Sequence, residues 1–480
     1  MSKYLVYELL KDAAIKWPNN VAIIDEYGSL TFEELYFEVK FLKNKLLVLG
    51  VTNGLGIGVK AKNGRNFIIG LFAAVGCGAT VMPLANQLKD AEIENILKEA
   101  KLHFIIDDNS GTSAFLKVVT EIKLNKESFV FCTTNISTNL LFAAHVNNPA
   151  FIRFTSGTTG HSKGVIVSHQ SVIERIETAN IVLELNDKDT VIWMLPIAYH
   201  FMVSVILYVR FGAAIAIAKD FLAKNIIDLT NTNAGTLIYA SPIQIRLLSN
   251  DIGNEKMPTL KRVISTSAGI GLDVCSAFKK RFDINVSQAY GIIEIGLPII
   301  NYKKSAEMPE AVGFAVPGYT VDILDDAYNP LPAGKIGYLG IKGPGMFDAY
   351  LLPATLRKEN LQNGYFLTAD FASKTIDGLI KIEGRSKSVI NIGGIKIFPE
   401  EVEAVLESIP EIKQAKVFST PHPLLGQIIE AEIIVHNGKI IDVEETILYC
   451  KKRLSNFKAP QKLNIVSHLA MTNTGKLMRY

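Results

Sequence analysis

The sequence predicts an α/β fold, with a large N-terminal domain of helix-covered sheets that ends in a small β-rich lobe, followed by a small α+β domain. Three observations carry this reading. Helix-like and strand-like stretches alternate through residue 300. Near Gly313 the texture changes to short strands separated by Gly and Pro. After Gly384 and Arg385 a strongly amphipathic helix opens a last unit of strands and helices. A length of 480 residues fits about three domain-sized units of roughly 150 residues each.

Taken in order, LTFEELYFEVKFLKNKLLVLG from Leu30 has apolar residues at helical spacing, with Thr31 as N-cap and Glu34 completing a capping box. GIGVKA and HFIID read as strands, with AEIENILKEAK between them as an amphipathic helix. Residues 67–85 are uncharged and long enough to span a bilayer, but three glycines and a proline interrupt them. A buried helix followed by a strand explains the same run, and no transmembrane segment is expected. VIWMLPI, AAIAIA, AGTLIYAS and KRVISTSA follow as buried strands. Residues 313–385 form the β-rich lobe and close a first domain of residues 1–385. In the second domain, residues 386–480, PEEVEAVLESIP is a helix with Pro399 early in it, followed by strands QAKVFSTP and IEAEIIVH and the helix VEETILYCKKRLS.

Composition removes several functional classes. The balance of 50 basic against 47 acidic residues has no Lys/Arg block of the kind that tracks nucleic acid, and no nucleic-acid partner is expected. Cys77, Cys132, Cys275 and Cys450 lie far apart without a CxxC pair, so neither a zinc site nor a disulfide framework is indicated. The N-terminal stretch MSKYLVYELLKDAAIKWP lacks the apolar core of a signal peptide, and a reducing cytoplasm is the expected home.

The stretch FTSGTTGHSKG, Phe154 to Gly164, is rich in glycine and small hydroxyl residues and lies between the apolar runs PAFIRF and VIVSH. A phosphate fits such a strand-to-strand turn. Glycines let the backbone approach an anion closely, successive N–H groups form a nest, and the hydroxyls and Lys163 add donors and charge. An ordinary hairpin turn uses the same residue types, and both readings stand at this point. It is not a Walker A loop, since Gly164 follows the lysine and the next stretch reads as a strand. That leaves a P-loop kinase or ATPase without its GK[ST] signature.

Four further stretches bear on the choice. QAYGIIEIG brings an aromatic ring, a glycine and Glu294 together after a strand, and a carboxylate near phosphate is a natural oxygen ligand for Mg²⁺. YFLTADFA places Asp370 at a strand end, where it can accept from the two hydroxyls of a ribose. GRSKSVINIGGIKIFPEEVE joins Arg385 to a charged linker and a glycine pair, and NTGKLMRY carries Lys476 on a glycine-containing turn. In this order the five segments resemble the adenylate-forming (ANL) superfamily, which includes the AMP-dependent acyl-CoA synthetases and ligases, luciferase and the adenylation domains of peptide synthetases. The resemblance covers nearly the whole chain. The opening loop is similar to TSGTTGxPKG, QAYGIIE to YGxTE, YFLTAD to TGD, GRSKSVINIGGIKIFPEEVE to the hinge and the loop after it, and NTGK to the stretch carrying the C-terminal lysine.

The resemblance implies a two-step reaction: a carboxylate attacks the α-phosphate of MgATP to give an acyl-adenylate and pyrophosphate, and a thiol of CoA or of a carrier protein then displaces AMP. It also implies the site. Thr155, Ser156, Gly157, Thr158, Thr159, Gly160 and Lys163 would hold the β- and γ-phosphates, and Glu294 would hold Mg²⁺. Tyr290, within the segment Ala289 to Gly291, would lie on the adenine, with Gln288 reaching its amino group and Ala268 and Gly269 covering the other face. Asp370 would bind the ribose, with Arg385 near ribose and phosphate, and Lys476 would bridge the carboxylate and α-phosphate oxygens. The small C-terminal domain would be mobile, rotating about Lys387 to bring Gly393 and Gly394 to a thiol tunnel.

The chain departs from the family pattern at Ser162, Ile293, Ala369, Ser388, Asn391 and Ala470. Ile293 stands where a threonine hydroxyl normally lies near the α-phosphate, whereas Ala369 adds only a methyl to TGD. LPIAYHFMVSV lies where relatives line the acyl pocket, with His200 read either as its gate, together with Tyr199 and Phe201, or as a structural histidine, and with Ile292 and Ile293 on its wall. No Asp or Glu occurs between Asp189 and Asp220 to pair with an ammonium, so a fatty or aromatic acid is expected over an α-amino acid. The alternatives are an enzyme dedicated to carrier-protein loading and a weakened nucleotide- or acyl-binding homologue.

Overall fold

The structure, a computed structural model, describes residues 5–88, 90–108, 116–155, 163–385, 390–392, 395–422, 426–454 and 458–471. The described chain is mixed α/β and falls into two units, Met1–Thr320 with Ile341–Phe366, and Val321–Gly340 with Leu367–Tyr480.

The first unit is built on two nine-stranded sheets. In one, the parallel strands Val286–Ile292, Arg262–Ser265, Leu237–Ala240, Thr190–Trp193, Ala214–Ile217 and Val21–Asp25 lie side by side. Their side chains are apolar on both faces, as in the buried runs expected from sequence. Ile192, Ile238 and Val263 pack with Ile245 and Phe278 from the covering helices Pro242–Ser249 and Leu272–Phe282. In such a sheet the loops that leave the C-terminal strand ends gather at one rim, where ligands bind.

In the second sheet the strands Gly56–Ala61, Thr80–Ala85 and Phe104–Asp107 are parallel, and Pro149–Thr155 and Lys163–Ser168 form the expected hairpin. The run at residues 67–85 resolves into a buried helix, Arg65–Gly76, and the strand Thr80–Ala85. No helix among the described residues is long and apolar enough to cross a membrane. The capping box forms at the start of helix Phe32–Val48: Glu34 N–H donates to Thr31 Oγ1 at 3.2 Å, and Thr31 N–H donates to Glu34 Oε2 at 2.8 Å.

In the second unit the strands Thr320–Leu324, Ile336–Lys342, Phe366–Lys374 and Ile380–Arg385 form the lobe. Beyond it, helix Pro399–Glu407 starts with Pro399 in its first turn and packs Val402 and Leu406 on a sheet of Ile412–His422, Gly426–Val435 and Lys462–Ile465. Asp442 caps the last helix, Val443–Arg453, by accepting from Glu445 N–H at 2.9 Å. The lobe shares this unit with the C-terminal residues, and the Phe371 ring lies 5.5 Å from that of Phe398. All four cysteines are buried and unpaired.

Candidate active site

The phosphate hairpin sets one face of the site in the first unit. Antiparallel pairing places Thr155 opposite Lys163, and Arg153 opposite Val165. Val165 is also opposite Tyr350, on the short strand Ala349–Tyr350. Lys163 lies two residues before Val165, so pleating puts Arg153, Lys163 and Tyr350 on the same face. The Lys163 ammonium sits 4.7 Å from the centre of the Tyr350 ring, and the Tyr350 hydroxyl donates to Glu294 Oε1 at 3.2 Å.

Glu294 follows strand Val286–Ile292 and joins this face. Burial raises its carboxyl above the ordinary glutamate value, while the Tyr350 hydrogen bond and the cations of Arg153 and Lys163 pull the other way. One carboxylate thus faces two cations, and the patch carries excess positive charge suited to a polyphosphate. The segment is pinned from behind by Arg175, a fully buried residue of helix His169–Leu183. Its Nη1 donates to the Ile293 carbonyl at 3.1 Å, and its Nε and Nη2 donate to the Gly345 carbonyl at 2.9 and 2.6 Å. Gly345 is required there: at φ +66°, a Cβ on it would stand 2.5 Å from the Arg175 backbone nitrogen.

The stretch predicted to line an acyl pocket forms the helical turn Ile197–His200, which runs into a π-helical turn, Phe201–Val205. Asn63 fixes its start, donating to the Leu195 carbonyl at 2.9 Å and accepting from Ile197 N–H at 3.0 Å. The His200 ring meets Trp193 edge-on at 5.7 Å, and Trp193 stacks on Tyr239 at 5.9 Å. Tyr199 lies under the Arg153 guanidinium, 4.8 Å from ring centre to Cζ. Phe201 does not gate anything: it is buried between Phe72 and Phe151. Ile292 and Ile293 are half-buried beside Glu294.

Burial, aided by the Arg153 charge, lowers His200 to about 3. The imidazole is therefore neutral across the physiological range. Below its ordinary value of 6.5, the unfolded chain binds a proton that the folded one refuses, so His200 lowers stability as pH falls from there toward about 3. His200→Gln should remove this contribution. Melting temperatures taken near about pH 7 and again near about pH 4.5 should draw closer together in the variant, and an unchanged gap would refute the assignment.

The predicted adenine residues lie at the rim of the parallel sheet. Strand Arg262–Ser265 leaves the sheet into an exposed turn over Ser267, Ala268 and Gly269, with Ser267 at φ 75°. Tyr290 and Gly291 stand on the neighbouring strand, Tyr290 half-buried and Gly291 exposed, whereas Ala289 is buried. Gln288 is turned inward. It is 3 % exposed, its amide nitrogen donates to the Pro309 carbonyl at 2.6 Å, and its oxygen accepts from Ile270 N–H at 3.4 Å. An amide engaged at both ends braces the strands instead of reaching out to a base.

In the second unit, Asp370 and Arg385 face each other across the antiparallel pair Phe366–Lys374 and Ile380–Arg385, with Arg385 Nε 3.2 Å from Asp370 Oδ1. Asp370 lies within its strand and not at its end. Its backbone N–H donates to Thr368 Oγ1 at 3.2 Å, and Thr368 Oγ1–H donates to the Leu339 carbonyl at 3.2 Å. Ala369 adopts φ 63°, the left-handed region. The extra methyl on TGD is therefore not neutral, because a Cβ there meets the following carbonyl. Ala369→Gly should stabilise the protein by about 0.5–1 kcal/mol, read from the urea midpoint, and a lower midpoint would refute the strain.

Ser156, Gly157, Thr158, Thr159, Gly160, Lys387, Gly393, Gly394 and Lys476 lie outside the described residues, as does the side chain of Thr155. The sequence reading missed Arg153, Arg175 and Tyr350. Each is a polar group inside an apolar run, in PAFIRF, SVIERI and FDAYLL, and that is the signal that could have flagged them.

Comparison with known proteins identifies the family and the fold. Residues 10–351 match the family described as AMP-binding enzyme, and residues 401–476 match the AMP-binding enzyme C-terminal domain. The probable CoA ligase CCL9 of Humulus lupulus is 28 % identical, over 98 % of this chain and 94 % of its own. Among solved structures, o-succinylbenzoate CoA synthetase (MenE) of Bacillus subtilis, in complex with its acyl-adenylate intermediate, superimposes with a TM-score of 0.86 at 21 % identity. That match covers 100 % of this chain and 98 % of the other. ATP-bound MatB of Rhodopseudomonas palustris gives 0.84 at 21 % identity, covering 99 % and 97 %.

Proposed function

Because the chain belongs to the AMP-binding enzymes of the adenylate-forming superfamily, we propose that it uses ATP to activate a carboxylic acid as an acyl-adenylate and passes the acyl group to the thiol of CoA. The observation that carries this is the patch in which Arg153 and Lys163 flank Glu294 at the end of the glycine-rich hairpin. A surplus of positive charge beside a phosphate-type turn suits a leaving pyrophosphate, since phosphoryl transfer needs positioning and charge neutralisation more than covalent help.

In this reading the loop Thr155 to Gly160 and Lys163 take the β- and γ-phosphates. Glu294 fits a magnesium ion: it is a single carboxylate beside the phosphate hairpin, oriented by the Tyr350 hydroxyl, and magnesium takes one or two carboxylates together with phosphate oxygens. Such an ion supplies charge neutralisation on the phosphates. Tyr290 and the exposed turn at Ala268 and Gly269 bracket the adenine, with Gln288 as the brace behind them. Asp370 takes the ribose, held in register by Arg385. Lys476 approaches the carboxylate and the α-phosphate, with Lys387 as the pivot and Gly393 and Gly394 at the thiol entrance. The division for this movement falls between residues 385 and 386.

The acid is apolar. What supports this is that the stretch around His200 packs a neutral imidazole against the buried rings of Trp193 and Tyr239, and that no carboxylate lies between Asp189 and Asp220 to receive an ammonium. The test supplies ATP, magnesium, a panel of straight-chain fatty acids, benzoate and cinnamate, and either CoA or a holo carrier protein, and follows pyrophosphate exchange, AMP release and thioester mass. Acid-dependent exchange with thioester on CoA is expected. Thioester on the carrier alone would replace the CoA reading, and absence of exchange would defeat the enzymatic one.

A further inference from the structure

Two arginines serve this site, Arg175 fully buried and Arg153 half-buried, and they differ in what they have left to give. Arg175 spends Nε, Nη1 and Nη2 on the carbonyls of Ile293 and Gly345. Arg153 spends Nη1, which donates to the Tyr199 carbonyl at 2.7 Å while the guanidinium stacks on the Tyr199 ring. Its Nε is buried without a hydrogen-bond partner, and its Nη2 bonds to none of the described residues. The N–H of Nε and the near N–H of Nη2 point the same way and form the fork that matches the two oxygens of a carboxylate. An unmet buried donor is costly, so the guanidinium still has a hydrogen bond to make at Nε.

The position of the fork says which acceptor. On one side is the turn Ile197–His200, whose His200 ring packs against the buried rings of Trp193 and Tyr239. On the other is Glu294, whose carboxylate is held by the Tyr350 hydroxyl. Arg153 influences both His200 and Glu294 electrostatically, and it shares its face of the sheet with Lys163. In the proposed function this is where the acid's chain meets the patch for the phosphates. At the same junction, Ile293 offers an apolar side chain and no hydroxyl donor.

We propose that the Nε–Nη2 edge of Arg153 holds the reacting carboxylate of the acid substrate beside the phosphate hairpin, a role that rests on the adenylating function above. Each carboxylate oxygen has two lone pairs, so an oxygen that accepts one N–H keeps another for the phosphorus. The tether to the Tyr199 carbonyl and ring fixes the plane of the guanidinium before substrate arrives, which limits the ordering cost on binding. The donor absent at Ile293 is thereby replaced by Arg153.

The test compares acid-dependent ATP–pyrophosphate exchange in wild type, Arg153→Met and Arg153→Lys, the probe being the panel acid with the highest wild-type kcat/KM. Arg153→Met should raise the KM for the acid about 10- to 100-fold and move the KM for ATP by less than about 3-fold. Arg153→Lys, which keeps a point charge but not the fork, should fall between. A second readout separates anchoring from packing. The carboxamide of the probe acid, as an inhibitor, should bind wild type far more weakly than the acid does, and this preference should collapse in Arg153→Met. An equal rise in both KM values would assign the fork to the α-phosphate and overturn the proposal, as would an unchanged acid KM or a preserved preference for acid over amide. A wild type that exchanges with no acid in the panel would defeat the adenylating function itself, and the anchor with it.

Discussion

Lys476→Ala should lower acid-dependent pyrophosphate exchange by about 100- to 1,000-fold, the usual cost of removing one donor aimed at charge that develops in the transition state. Two anions must meet for the first half-reaction, the acid's carboxylate and the α-phosphate. In the proposed function Lys163 and the hairpin serve the phosphates that leave, so the charge at the new bond falls to Lys476. The second half-reaction has no such need, since the adenylate is already formed. Thioester formation from added acyl-adenylate and CoA should therefore change by less than about 3-fold in the same variant. Exchange at the wild-type rate would remove Lys476 from the site, and equal loss in both half-reactions would point to a folding defect.

Arg175→Met should destabilise the protein by about 3–5 kcal/mol, as expected for breaking up a buried, hydrogen-bonded charge. The side chain is fully buried, and its removal strands the carbonyls of Gly345 and Ile293 without their donor. Burial pulls the guanidinium below the ordinary arginine value, but its hydrogen bonds keep it a cation. Because Ile293 precedes Glu294, the variant should also weaken the magnesium binding proposed for Glu294 at temperatures where it remains folded. The urea midpoint is the measurement, and a loss below about 1 kcal/mol would show that neighbouring groups replace the donors.

Local grammar made most of the fold legible. The Thr31–Glu34 capping box, the glycine-interrupted run at residues 67–85 and the apolar strands of the parallel sheet all depend on neighbours within a few positions, and they formed as read. Ordered motifs made Lys163, Glu294, Asp370 and Arg385 legible as candidates. What stayed hidden depends on partners remote in the chain. Arg153 and Tyr199 are 46 positions apart, Tyr350 and Glu294 are 56 apart, and Arg175 and Ile293 are 118 apart. Ala369 shows a different failure: its identity can be read, but its left-handed backbone cannot, and the backbone decides whether a methyl is tolerated.

The four cysteines have a practical consequence for a ligase whose second substrate is a thiol. Burial pushes Cys77 up to about 12, and Cys132, Cys275 and Cys450 up to about 11. A thiol attacks only as its thiolate, so burial that raises all four thiols disfavours their attack on electrophiles at neutral pH. An acyl-adenylate waiting in the site has no internal sulfur competing for it. Consumption of CoA should accordingly be readable with a thiol-reactive dye on the intact enzyme, against a low background from the enzyme itself.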